Sequence, residues 1–146
     1  MEITIKKFED LSIYELYDIL QLRSEVFVVE QDCVYQDIDG KDANALHIIG
    51  KKDGKIIAYT RCFAPGYYFD EAAIGRVVVA KDQRSFKYGH DIMDASKKAI
   101  KKYYHTENIK LSAQQYLIKF YQSHGFQPIG EGYLEDGIPH IAMVIT

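Results

Sequence analysis

The pair Asp53-Gly54 constrains this chain more than any other two residues. It stands between two apolar, β-branched runs, Leu46 to Lys52 and Lys55 to Phe63. A two-residue Asp-Gly connection takes positive φ at both positions, the type I′ turn that matches strand twist, so the runs pair as an antiparallel hairpin. Pro65-Gly66 breaks the second run, and Ala72 to Val79 makes the next strand. A polar loop, Ala80 to Lys87, then leads into a helix over 88–104, with Ile92, Ala95, Ala99 and Tyr103 on one face and Met93 and Ile100 beside them. Asp91 near its start and Lys97, Lys98, Lys101 and Lys102 towards its end suit the helix dipole.

Around this centre, Ile3-Thr4-Ile5 reads as a short strand. Ser12-Ile13-Tyr14-Glu15 is a capping box opening a helix whose apolar face is Ile13, Leu16, Leu20 and Phe27. The stretch from Glu30 to Asn44 is rich in Asp and reads as a loop with room for a short second helix. Ile109 to Ala113 is a strand, Tyr116 to His124 a short helix, and Gly125 the αL residue that stops it. Gln127 to Leu134 and His140 to Ile145 are the last strands, turned by Glu135-Asp136-Gly137.

The order β-α-(α)-β-β-β-α-β-α-β-β sets hairpin-linked strands ahead of a crossover helix. That excludes a doubly wound Rossmann sheet and predicts an α+β fold, a mixed sheet with helices on both faces. With 146 residues and no repeat or linker, residues 1–146 form one domain. A formal net charge of −3 excludes the basic surplus of a nucleic-acid binder. Cys33 and Cys62 form no CxxC pair and read as reduced thiols, no apolar run approaches the roughly 20 residues of a membrane span, and the first ten residues lack a signal-peptide core. The expected compartment is the cytoplasm, with no membrane partner.

The segment from Val77 to His90 carries the first functional signal. A buried strand runs through a polar loop into a helix, whose opening amides lack intrahelical partners and, with the dipole, form an anion site. Arg84 and Lys87 add positive charge, and Gly89 lets the backbone approach a ligand. A plain crossover with a solvated basic loop would look the same. The glycine-rich P-loop pattern is absent.

A second segment, Gln114 followed by Phe120-Tyr121-Gln122-Ser123-His124-Gly125-Phe126, narrows the choice. Together the two resemble the GNAT N-acetyltransferase family, which carries an Arg/Gln-x-x-Gly-x-Gly/Ala loop after its fourth strand and a Phe-Tyr-x-x-x-Gly-Phe stretch on its fourth helix. Here the loop reads Arg84-Ser85-Phe86-Lys87-Tyr88-Gly89, with Lys87 in place of the first glycine. Further stretches, among them Val26-Phe27-Val28-Val29-Glu30-Gln31, Tyr35-Gln36-Asp37-Ile38-Asp39-Gly40 and Ile74-Gly75-Arg76-Val77, resemble the ElaA-like branch over nearly the whole chain.

The resemblance implies a sheet splayed between its fourth and fifth strands, with the pantetheine arm of acetyl-coenzyme A against the backbone of Val77, Val78 and Val79. It implies that Val77 or Val78 donates to the thioester carbonyl, that the amides from Ser85 to His90 (Ser85, Phe86, Lys87, Tyr88, Gly89, His90) hold the pyrophosphate with Arg84 and Lys87 beside it, and that Gln114 and Tyr121 lie along the cofactor. Tyr121 matches the family's general acid. The amine's base is Glu30 first, then His47 or His140. Glu30 also has the plainer reading of a partner for Arg23 or Arg76, and His47 that of a satisfied core histidine. Arg76, mid-strand among apolar residues, needs Glu30, Asp37 or Asp39 as a partner. The acceptor pocket would then draw on Glu30, Asp37, His47, Arg76 and His140. Asp37 to Asp42 would attract a cationic acceptor, or form a solvated acidic loop. The spacing of Asp32, Asp37, Asp39 and Asp42 does not match a calcium loop, so no metal is expected. The implied activity is acetyl transfer from acetyl-coenzyme A to an amine of a small molecule or peptide by direct attack. The alternative is a non-catalytic acyl-coenzyme A-binding regulatory module. Dimers recur in the family, so a homodimer is a further expectation.

Overall fold

A computed structural model describes residues 1–146. The strands are β1 (Glu2–Lys7), β2 (Leu46–Lys52), β3 (Lys55–Phe63), β4 (Ala72–Val79), β5 (Ile109–Gln114), β6 (Gln127–Glu135) and β7 (Ile138–Ile145), and the helices α1 (Ile13–Arg23), α2 (Tyr88–Tyr104) and α3 (Ile118–Gln122). The strands form one sheet in the order β1-β2-β3-β4-β5-β7-β6. All neighbours are antiparallel except β4 and β5, which run parallel as the crossover through α2 requires.

The β2–β3 turn has φ +53 at Asp53 and +78 at Gly54, both in the left-handed region that the type I′ turn demands. Asp136 (+51) and Gly137 (+78) repeat it between β6 and β7, so those strands run one residue further on β6 and two further on β7 than the sequence predicts.

Strand alternation sends successive side chains to opposite faces and so divides the core. Ile48, Ala58, Cys62, Ile74 and Leu111 pack beneath α2 with Ile92, Met93 and Ile100. Ile49, Ile56, Tyr59 and Val78 pack beneath α1 with Ile19, Leu22 and Val26. Burial of a side chain such as Ile49 stabilises the fold by about 1.5–3 kcal/mol.

Two helix faces differ from the sequence reading. On α1 the capping box between Ser12 and Glu15 is formed, but Glu15, Ile19, Leu22 and Arg23 face the sheet while Ile13 is exposed. Two charged residues belong to the inner face, Glu15 bound to Lys6 and Lys51 and Arg23 to Asp37 and Asp42. An apolar count passes over both. The helix then widens into π-helical turns over Ser24–Glu30, where the 3.6-residue period fails, and no separate second helix follows beyond a turn at Asp42–Asn44. On α2, Tyr103 is exposed and Ser96 takes the inner position, its hydroxyl bonded to Thr60 and to the Ile92 carbonyl. No helix is long and apolar enough to cross a membrane.

Candidate active site

The site begins with a bulge. Arg61 opposes Gly75 and Tyr59 opposes Val78, so β4 carries one residue more than β3 between those pairs. Arg76 absorbs it at φ +50, unusual for a side-chain-bearing residue. Beyond the bulge β4 leaves β5, and their pairing is confined to Ala72 with Ile109 and Ala73 with Lys110. A cavity of about 570 Å³ fills the gap, a volume suited to a cofactor-sized ligand.

Parity along β4 decides which backbone groups face this cavity. The Ala80 N–H donates to the Ile57 carbonyl at 2.8 Å, and Val78 pairs with Tyr59, so Val78 and Ala80 turn their polar groups to β3. Val77 and Val79 therefore turn theirs to the gap. Of Val77 and Val78, between which the family resemblance left the choice open, Val77 is the one whose N–H faces the gap.

The loop after β4 coils through a 3₁₀ turn, Lys81–Phe86, and reaches α2 through Lys87 at φ +61. A glycine holds that conformation without cost, so lysine keeps the loop path at the expense of some strain. Lys87, Gly89 and His90 line the cavity below the first turn of α2. Phe86 and Tyr88 do not: their rings stack and carry the Lys52 ammonium, 4.0 Å above Phe86. Only their backbone, and that of Ser85, remains for a phosphate. Arg84 lines the mouth, but its guanidinium is engaged, donating to both carboxylate oxygens of Glu30 at 2.6 and 2.9 Å and to the Val79 carbonyl at 3.1 Å. This contact holds the Glu30 carboxyl below its ordinary range, which weakens Glu30 as a base. Its partner is neither Arg23 nor Arg76.

Tyr121 enters from α3. A Schellman-type end, with the Phe126 N–H on the Tyr121 carbonyl at 3.1 Å and Gly125 at φ +92, fixes the helix where the sequence stops it. Tyr121 is 5% exposed, lines the cavity, and packs edge-on against Phe120 and Phe126. Burial pushes its hydroxyl well above the ordinary phenol value, so it remains protonated at neutral pH. Gln114 also lines the cavity, its amide 3.4 Å from Gln31.

The acidic loop departs from both expectations. Asp37, Asp39 and Asp42 are neither solvated nor free to attract a cation, because three arginines neutralise them. Arg23 donates to Asp37 at 2.9 Å and Asp42 at 2.8 Å, Arg61 to Asp39 and Asp42 at 2.9 Å each, and Arg76 to Asp37 at 2.8 Å. Burial works to raise the carboxyls of Asp39 and Asp42, but the guanidinium contacts outweigh it and hold both below the usual range. Arg76 thus finds Asp37 and Asp39 rather than Glu30.

His47 lies away from the cavity, fully buried, one ring nitrogen 2.6 Å from the Tyr59 hydroxyl and the other 2.9 Å from the Asp42 carbonyl. It is a satisfied core histidine, and burial lowers its proton affinity. Asp37 is likewise behind the cavity wall, whereas Arg76, Glu30 and His140 line it. His140 is 6% exposed, with Nδ1 2.7 Å from the Ile138 carbonyl and Nε2 3.3 Å from Glu135.

Several wall residues escaped the sequence reading. Phe63, Tyr68 and Ser112 line the cavity, as do Cys33 and Asp136, which close its far side through a 3.4 Å contact between the thiol and the Asp136 carbonyl. Glu135 and Asp136 read only as a turn. An arginine inside the apolar run of β3 was the available signal for Arg61.

A family model described as "Acetyltransferase (GNAT) domain" matches residues 10–146. The chain belongs to the GNAT acetyltransferase family. Within that family it is 43% identical to Protein ElaA of Escherichia coli over 136 residues, covering 92% of this chain and 89% of that one. It is 39% identical over 145 residues to the UPF0039 protein C11D3.02c of Schizosaccharomyces pombe, covering 98% of this chain and 95% of that one. Among solved GNAT relatives, an acyl-CoA N-acyltransferase from Pseudomonas aeruginosa superposes with a TM-score of 0.93 at 40% identity, and Escherichia coli ElaA with 0.91 at 40%, each covering 100% of both chains. The GNAT sheet, splayed between its fourth and fifth strands, is the one described above.

Proposed function

We propose that this protein transfers an acetyl group from acetyl-coenzyme A to an amine of a small molecule or peptide in a ternary complex. One observation carries the reading. A single cavity is bordered by the polar backbone of Val77 and Val79, the opening turn of α2 and the buried Tyr121. Those groups fit an acyl-coenzyme A: a β-strand edge for the amides of the pantetheine arm, helix-end amides and Lys87 for the diphosphate, and a phenol for the sulfur.

The amine attacks the thioester carbon as a free base. A C–N bond forms while the C–S bond breaks. The Val77 N–H donates to the oxygen that gains charge, a role worth about 2.7–4 kcal/mol in comparable sites. Tyr121 gives its proton to the departing thiolate, and the proton that the nitrogen sheds on becoming an amide returns to the Tyr121 oxygen, so that one proton passes from nitrogen to sulfur per transfer. His140 suits the base better than Glu30 or His47. The Ile138 carbonyl can only accept, so His140 Nδ1 carries hydrogen and Nε2 is the basic atom. Nε2 and the Glu135 carboxylate lie 3.3 Å apart on the cavity wall, so an ammonium seated beside the pair can donate to both before losing its proton to the ring.

The test is a thermal-shift titration with acetyl-coenzyme A and coenzyme A, followed by acetylation of a panel of amines with His140→Gln and Glu30→Gln alongside. A ligand at a hundred times its Kd stabilises the fold by about 2.7 kcal/mol. No shift at saturation rejects the proposal. A shift with no product from any amine favours a non-catalytic acyl-coenzyme A-binding module instead.

A further inference from the structure

Acyl transfer as just described makes no use of Asp94 or His124, yet the two form a connected line with His90 that ends at the cofactor cavity. Asp94 and His90 stand four residues apart on α2. His124, 7% exposed on the turn after α3, bridges them: its Nδ1 lies 3.3 Å from Asp94 Oδ1 and its Nε2 lies 2.9 Å from His90 Nδ1. The imidazoles stack with centroids 5.0 Å apart, both against Phe120, and Lys97 anchors the His124 carbonyl at 2.9 Å. Of the three, only His90 lines the cavity.

The proton positions follow from the partners. The Asp94 carboxylate accepts, so His124 Nδ1 carries hydrogen. His124 Nε2 then accepts, so His90 Nδ1 carries hydrogen as well. In the neutral pair His90 Nε2 is therefore bare. The reverse order would set a bare His124 nitrogen against a carboxylate. A third proton enters at His90, the ring whose free nitrogen is open to the cavity; on His124 burial opposes a charge and outweighs the Asp94 carboxylate that favours one. The elements packed about His90 carry as their other charged or titratable side chains Lys87, Tyr88, Asp91, Asp94 and Lys97 on α2 and its cap, Lys119 and Tyr121 on α3, and Arg84 on the loop before α2, already bound to Glu30.

Resting on the acyl-coenzyme A reading above, we infer that His90 grips a phosphate of the coenzyme as an imidazolium, taking up a proton as the coenzyme enters, with His124 and Asp94 as positioning residues. A bare Nε2 repels a phosphate oxygen, whereas its protonated form donates a charge-assisted hydrogen bond. At the other end of the line Asp94 compensates the added charge. The engagement of Arg84 by Glu30 leaves His90 and Lys87 as the cavity's free cationic donors at this helix end. The sign is fixed: the bound coenzyme raises the proton affinity of His90, so binding is tightest at low pH. It weakens as pH rises through the titration of the complex, by at most about tenfold per pH unit for one proton.

Calorimetric titration of coenzyme A in buffers of unlike ionisation enthalpy, at pH 7 and 8.5, measures the proton exchange directly. Net uptake is expected in the wild-type protein, lost in His90→Gln with a Kd nearly independent of pH, and diminished in Asp94→Asn, whose change lies at the exposed end of the line. Dephospho-coenzyme A separates the sources of phosphate: uptake retained assigns the diphosphate, uptake lost assigns the 3′-phosphate, and either supports the inference. Binding without proton exchange, or exchange unchanged in His90→Gln, overturns it while leaving acyl-coenzyme A binding intact. Absence of both binding heat and thermal stabilisation overturns the two readings together. Wild type and Asp94→Asn decide the matter even where His90→Gln fails to fold.

Discussion

Arg84 clasps Glu30 across the mouth of the cavity, each terminal guanidinium nitrogen donating to its own carboxylate oxygen, at 2.6 and 2.9 Å. The pair joins the end of the π-helical segment to the loop that opens α2, and it occupies the two residues that the sequence assigns to separate duties. Glu30→Gln breaks the charge pairing and frees Arg84 for phosphate. The expected result is tighter coenzyme A binding, by about threefold at low salt, with kcat changed by less than that. A general base would cost about 10²–10⁴ in rate, so steady-state kinetics with a measured Kd separates the two roles.

Tyr121→Phe removes a proton donor but no packing surface. Turnover is expected to fall by about 10² or more, with the Kd for coenzyme A within about twofold of the wild type. Because burial raises the phenol's proton affinity, its deprotonation limits the rate only at strongly alkaline pH. A pH profile that breaks on its basic limb near neutrality would point to another acid.

Arg23 has no exposed surface and holds both Asp37 and Asp42. Arg23→Met leaves those carboxylates with Arg76 and Arg61 alone, and the fold is expected to lose about 3–5 kcal/mol in urea denaturation. The network also has a pH signature. Asp39 and Asp42 titrate below the usual carboxylate range in the folded protein. Their contribution is complete above the unfolded carboxylate values and is lost as pH falls through the folded ones. Acid unfolding of the variant should therefore begin at higher pH than that of the wild type.

Lys87 stands at φ +61. Lys87→Gly is expected to stabilise the fold by up to about 1 kcal/mol by relieving that strain, while weakening coenzyme A several-fold through loss of the charge. Thermal melts with and without ligand measure both. Opposite changes in stability and affinity are the diagnostic result, and equal losses in both would contradict the assignment.

The sequence by itself determined the elements whose cause is local. Asp-Gly turns need two left-handed residues, a capping box needs Ser12 and Glu15 three apart, and Gly125 ends α3 because glycine enters the left-handed region at the least cost. The two β-branched runs and the crossover helix followed from such spacings, and with them the order of strands and helices; the Phe-Tyr-x-x-x-Gly-Phe stretch spoke through its resemblance to the GNAT family. Tertiary structure alone decided the rest. No spacing shows that Arg76 absorbs a bulge, that Val77 rather than Val78 faces the gap, that three arginines silence the acidic loop, or that Glu30 belongs to Arg84 and His47 to the core. Those outcomes depend on which charges meet across the sheet, through contacts between residues 5 to 54 positions apart, and on strand parity that a single inserted residue reverses.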